Sequence, residues 1–100
     1  MKFNITLKRG SVSAFFREKG YTPLGLDIKT QELVFAKSLS GGLYPRFHIY
    51  CKSMPGGFSF AANLHLDQKK PTYQGTSAHS GEYEGQLVEA EAKRIQSSLG

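Results

Sequence analysis

Phe3, Ile5 and Leu7 alternate with Asn4 and Thr6, the period-two signature of a half-buried strand. Lys8–Arg9–Gly10 then reads as a turn. Ser11 follows as a helix N-cap, a hydroxyl able to accept from an otherwise unpaired backbone N–H. Val12, Phe15 and Phe16 repeat at i, i+3 and i+4, Lys19 suits a last turn and Gly20 a left-handed stop, so a short helix is predicted over residues 12–19. Residues 21–25 read as a connector, with Leu26–Asp27–Ile28 a short extended candidate. Residues 32–39 give the next strand, with Leu33, Phe35 and Lys37 on one face and Val34, Ala36 and Ser38 on the other. Ser40–Gly41–Gly42 breaks it, and Pro45, which cannot donate to a sheet ladder, prolongs the loop.

The clearest alternation follows. Phe47, Ile49 and Cys51 point one way over residues 46–52, and Arg46, His48, Tyr50 and Lys52 the other. Met54–Pro55–Gly56–Gly57 is a turn signal. Over residues 58–66, Phe58, Phe60, Ala62, Leu64 and Leu66 oppose Ser59, Ala61, Asn63 and His65. Together they predict an antiparallel hairpin with one apolar and one polar face. Residues 67–81 carry no periodicity, and so long a connection in a compact domain is usually functional or mobile. Val88, Ala92, Ile95 and Leu99, with Leu87 beside them, predict a closing helix over residues 83–98. Glu82, Glu84 and Glu89 near its start and Lys93 and Arg94 near its end suit the helix dipole, and Glu89–Lys93 is a favourable i,i+4 pair. The layout is β-α-β-β-β-α. It predicts an α+β fold in which an antiparallel sheet of three to four strands carries both helices on one face and leaves the other open.

One hundred residues make a single domain with one core, and 39% apolar against 21% charged residues is the balance of a folded chain. Cys51 is the only cysteine, which excludes an intrachain disulfide and a cysteine-rich zinc site and fits a reducing, cytoplasmic setting. Its place in the alternation makes it a small core residue. The apolar runs are too short for a membrane span, and the start of the chain lacks the apolar region of a signal peptide. The net charge of +5 is uneven: residues 1–70 hold eleven Lys/Arg against four Asp/Glu, and residues 71–100 hold two against four. A basic body of this kind attracts anionic partners.

Three sets of residues carry candidate chemistry. His65 and Asp67, two apart, project from one strand face, His48 lies on the same face of the neighbouring strand, and His79 sits in the long connection. Imidazoles plus a carboxylate are adequate ligands for zinc or another divalent metal, and equally a general acid–base set. HExxH and zinc-finger spacings are absent. The connection itself brings Lys69, Lys70 and Tyr73 together with Thr72, Thr76 and Ser77, groups that suit phosphate, although no P-loop is present. Finally Arg46, Tyr50 and Lys52 interleave charge with an aromatic on the polar sheet face, a pattern that neutralises phosphates and stacks bases.

From residue 12 onward the order α-β-β-β-α is similar to that of double-stranded-RNA-binding domains, and Gly42-Leu43-Tyr44-Pro45-Arg46-Phe47-His48-Ile49 resembles the loop and strand of that family. The basic run with which that family opens its last helix is replaced by Glu82, Tyr83 and Glu84, whose carboxylates repel phosphate, and the link before that helix is longer. The resemblance is one of layout, and no residue role is carried across. Three functional expectations result. The first is a non-enzymatic binding module for an anionic partner, foremost nucleic acid, through Arg46, Tyr50, Lys52, Lys69, Lys70 and Tyr73. The second is a small metal-dependent or acid–base enzyme using His65, Asp67 and His79, with His48 as a further ligand. The third is a homodimer formed through the polar sheet face.

Overall fold

The computed structural model describes residues 1–42, 44–68, 81–82 and 85–97. Its elements are β1 (Lys2–Thr6), α1 (Val12–Glu18), β2 (Thr22–Asp27), β3 (Glu32–Ser38), β4 (Arg46–Ser53), β5 (Ser59–Asp67), β6 (Gly81–Glu82) and α2 (Gln86–Ser97). The strands form one antiparallel sheet in the order β1-β5-β4-β3-β2. β1 covers residues 59–63 of β5, and the two-residue β6 pairs with Leu66 and Asp67 further along.

The α+β architecture is the one the periodicity predicts, with more strands. The added strand is β2, which takes in most of the stretch read as a connector. Pro23 and Gly25 look like breakers, yet β2 is an edge strand, where a missing N–H costs no ladder bond on the open side. A register shift between Pro23 and Gly25 absorbs Leu24, and Gly25 takes a φ of 117°, open to glycine and strained for other residues. With four consecutive strands between α1 and β6, the order departs from the α-β-β-β-α of double-stranded-RNA-binding domains.

Ser11 caps α1 as its hydroxyl allows, accepting from the Ala14 N–H at 3.1 Å. Gly20, at φ 93°, turns the chain out of the helix. The core lies between the helices and one sheet face. Phe16 is fully buried and tilts against Phe35 with ring centroids 4.8 Å apart, while Phe15 and Tyr21 meet it edge-on. Ile49, Cys51, Leu64 and Leu66 rise from β4 and β5 to meet Val88, Ala92 and Ile95 of α2. Each large apolar side chain so buried contributes roughly 1.5–3 kcal/mol relative to exposure. Burial pushes the Cys51 thiol up to about 12, so it stays protonated and inert. Leu87 is half exposed, on the side of α2 away from the core.

A polar clamp joins α2 to the rest. The Tyr21 hydroxyl donates to Glu91 Oε2 at 2.6 Å, and the Arg94 guanidinium grips the same carboxylate at 2.7 and 2.8 Å. Arg94 also donates to the Lys19 carbonyl at 3.0 Å, closing the end of α1 onto α2. Among the described residues no helix is long and apolar enough to cross a membrane.

Candidate metal centre on the second sheet face

The cross-strand register sorts the face opposite the helices into rows. Ser38, Arg46 and Asp67 form one row across β3, β4 and β5, and Thr22, Ala36, His48 and His65 form the next, starting in β2. Val34, Tyr50, Asn63 and Lys2 follow, then Lys52, Ala61 and Asn4. Adjacent rows share a face because strand side chains alternate. His48 therefore sits directly opposite His65, and Asp67 lies one row away from both.

The side chains close this geometry. His48 Nδ1 lies 3.1 Å from Asp67 Oδ2, and His65 Nε2 lies 3.4 Å from Asp67 Oδ1. The imidazole rings stand 5.0 Å apart, and Tyr50 stacks on His65 at 5.6 Å while touching His48 at 4.8 Å. Arg46 approaches the same carboxylate, its Nε 3.6 Å from Oδ2, and lays its guanidinium 4.9 Å from the Tyr44 ring centre. A ligand atom from each of His48, His65 and Asp67 lies within 4.8 Å of the other two.

The cluster is not an open surface. His65 is only 6% exposed, and the side chains of His48 and Asp67 retain 12% and 14%. The expected solvent-facing polar sheet is thus corrected at this end: His65 is buried and His48 half-buried. Burial lowers both imidazoles below the ordinary histidine value, against the pull of the Asp67 charge, and the Arg46 charge adds to the lowering. Both are held neutral, the form that ligates metals. Since a carboxylate accepts, His48 Nδ1 donates to Asp67 and its Nε2 carries a lone pair. That Nε2 is buried and has no hydrogen-bond partner among the described residues. The Asp67 carboxylate fixes the orientation of the His48 ring.

The sequence-derived candidates divide accordingly. His48, His65 and Asp67 converge. Arg46 and Tyr50, expected to face an anionic partner, turn onto the same cluster. Lys52 is exposed and stands six residues from Arg46 along β4, roughly 20 Å away at strand rise. Lys69, Lys70, Tyr73 and His79, with most of the 67–81 connection, lie outside the described residues. Sequence reading missed the joint role of Arg46 and Asp67, which the hairpin register alone reveals. No family model matches the chain, and neither a curated protein nor a solved structure matches it.

Proposed function

We propose that this chain is a small metal-binding protein in which His48, His65 and Asp67 hold a divalent transition-metal ion, zinc foremost. The observation that carries this reading is the convergence of two imidazoles, one buried and one half-buried, and a carboxylate, with ligand atoms within 4.8 Å of one another. Tetrahedral zinc with bonds of about 2.1 Å needs ligand atoms roughly 3.4 Å apart, closer than the 4.8 Å that bounds this set. Two imidazoles and one carboxylate also leave a coordination position for water or another ligand, and the same donor set suits iron(II).

The test is metal content and stability together. Protein stripped of metal and dialysed against zinc should retain one equivalent. At a hundredfold excess over Kd the gain is about 2.7 kcal/mol, on the order of 10 °C in Tm for a domain of this size. His65→Ala, and Asp67→Asn as a variant that preserves size, should lose both effects while keeping the metal-free circular dichroism spectrum. Absence of zinc, iron and cobalt uptake by folded wild-type protein would end this reading.

The second reading, an anionic partner such as nucleic acid, is favoured by the net charge of +5. Of its described residues, Tyr50 stacks on His65, and Arg46 stands beside the Asp67 carboxylate at 3.6 Å without a hydrogen bond to it. That leaves Lys52 as the exposed member of the set.

A further inference from the structure

Beside the histidines lies an open groove of about 430 Å³, lined by Thr22, Ala36, Ser38 and Arg46 together with Gly20, Leu24 and Lys37. The volume falls in the usual range of small-molecule sites. The groove exists because the row that continues from His48 across β3 and β2 is built of Ala36 and Thr22, small side chains next to large rings. Ser38 adds a second hydroxyl in the Arg46 row. No carboxylate lines it among the described residues. Two cations line it, Arg46 and Lys37; Arg46 is the one whose planar fork can take two oxygens at once.

Arg46 is under-used where it stands. Its guanidinium carries five donors. Its contacts are the ring of Tyr44 and Asp67 Oδ2 at 3.6 Å, which is longer than a hydrogen bond. Arg46 Nε is buried with no hydrogen-bond partner among the described residues. A half-buried guanidinium with unfilled donors, flanked by two hydroxyls, matches the planar two-oxygen edge of a carboxylate or phosphate.

We infer that the Thr22–Ala36–Ser38–Arg46 groove binds a small ligand through a carboxylate or phosphate group seated on Arg46. The hydroxyls of Thr22 and Ser38 donate to its remaining oxygens, and the body of the ligand lies over Ala36 beside His48. This site stands apart from the metal reading, since groove and guanidinium are there with or without an ion.

The experiment is a titration of ¹⁵N-labelled full-length protein, stripped of metal, with inorganic phosphate and with acetate, followed by amide shifts. Saturable movement centred on Thr22, Ala36 and Ser38 is expected for at least one of the two, and the tighter probe names the class of anion. Arg46→Gln should weaken it roughly tenfold or more. Arg46→Lys, which keeps the charge beside Asp67 without the fork, should also bind more weakly than wild type, so the test stands even if Arg46→Gln does not fold. His65→Ala should bind the anion as wild type does. Protein that takes up no zinc but shows Arg46-dependent binding would end the metal reading and leave this one. No saturable movement with either anion, undiminished affinity in folded Arg46→Gln, or loss of binding in folded His65→Ala would overturn it.

Discussion

Glu91 is buried at 6% exposure and nonetheless charged. Burial by itself would raise its carboxyl, but the Arg94 fork and the Tyr21 hydroxyl outweigh burial and hold the group below the ordinary carboxylate value. The same contacts act in reverse on Tyr21, whose phenol is pushed up by burial and by the neighbouring carboxylate, so it remains a donor. A folded-state value below the unfolded one means that the stability Glu91 supplies is complete above the unfolded carboxyl pKa. It drains away as pH falls through the folded value. Arg94 is partly exposed, which screens the pair and keeps its worth at about 1–2 kcal/mol. Glu91→Gln is therefore expected to cost about that much at neutral pH, and to lose stability less steeply than wild type on acidification below the usual carboxyl range. Urea denaturation of both proteins across that pH series measures it. The sequence contains the signal for this residue: Val88, Glu91, Ala92 and Ile95 fall at i, i+3, i+4 and i+7, so Glu91 lies in the buried stripe. The helix charges named from the sequence are Glu82, Glu84, Glu89, Lys93 and Arg94, and Glu91 is not among them.

At the scale of elements, α1 is seven residues long, too short to persist without tertiary packing and its cap. Ser11→Ala removes the one side-chain acceptor at its start and should cost about 1 kcal/mol. The expected signature is a lower urea midpoint with an unchanged slope, since the surface buried on folding stays the same. α1, β4 and β5 were legible because each is written in a single period with a clear stop: Ser11 and Gly20 around the helix, and Met54–Pro55–Gly56–Gly57 between the strands. β2 was not, because its strand character comes from a neighbour. Pro23 and Gly25 have poor strand propensity, and the segment is held extended by the pairing of Thr22, Pro23 and Gly25 with Ala36, Phe35 and Val34. A short edge strand recruited by β3 leaves little trace in its own residues.

Across the whole molecule the two sheet faces carry different kinds of information. The helix face follows from hydrophobic alternation, and Phe35, Ile49 and Leu64 are buried as that alternation requires. The other face has the polar residues that alternation assigns, but their burial and mutual contacts depend on register, which is long-range. His48 meets His65 only because the hairpin turn sets Ser53 against Phe60. Net charge sits at the same scale and bears on the anionic-partner reading. A protein at +5 is drawn to any polyanion at low salt by counterion release, without a dedicated site. Under the metal reading, retardation of single- or double-stranded RNA in a gel should therefore vanish by roughly 200 mM salt. It should also weaken only slightly in Lys52→Gln, which removes one charge from an exposed position. Retardation that survives that salt and disappears in Lys52→Gln would require a built phosphate site at the Lys52 end of the sheet. The balance of the two readings would then shift to nucleic acid, because diffuse charge cannot produce a loss that depends on one lysine.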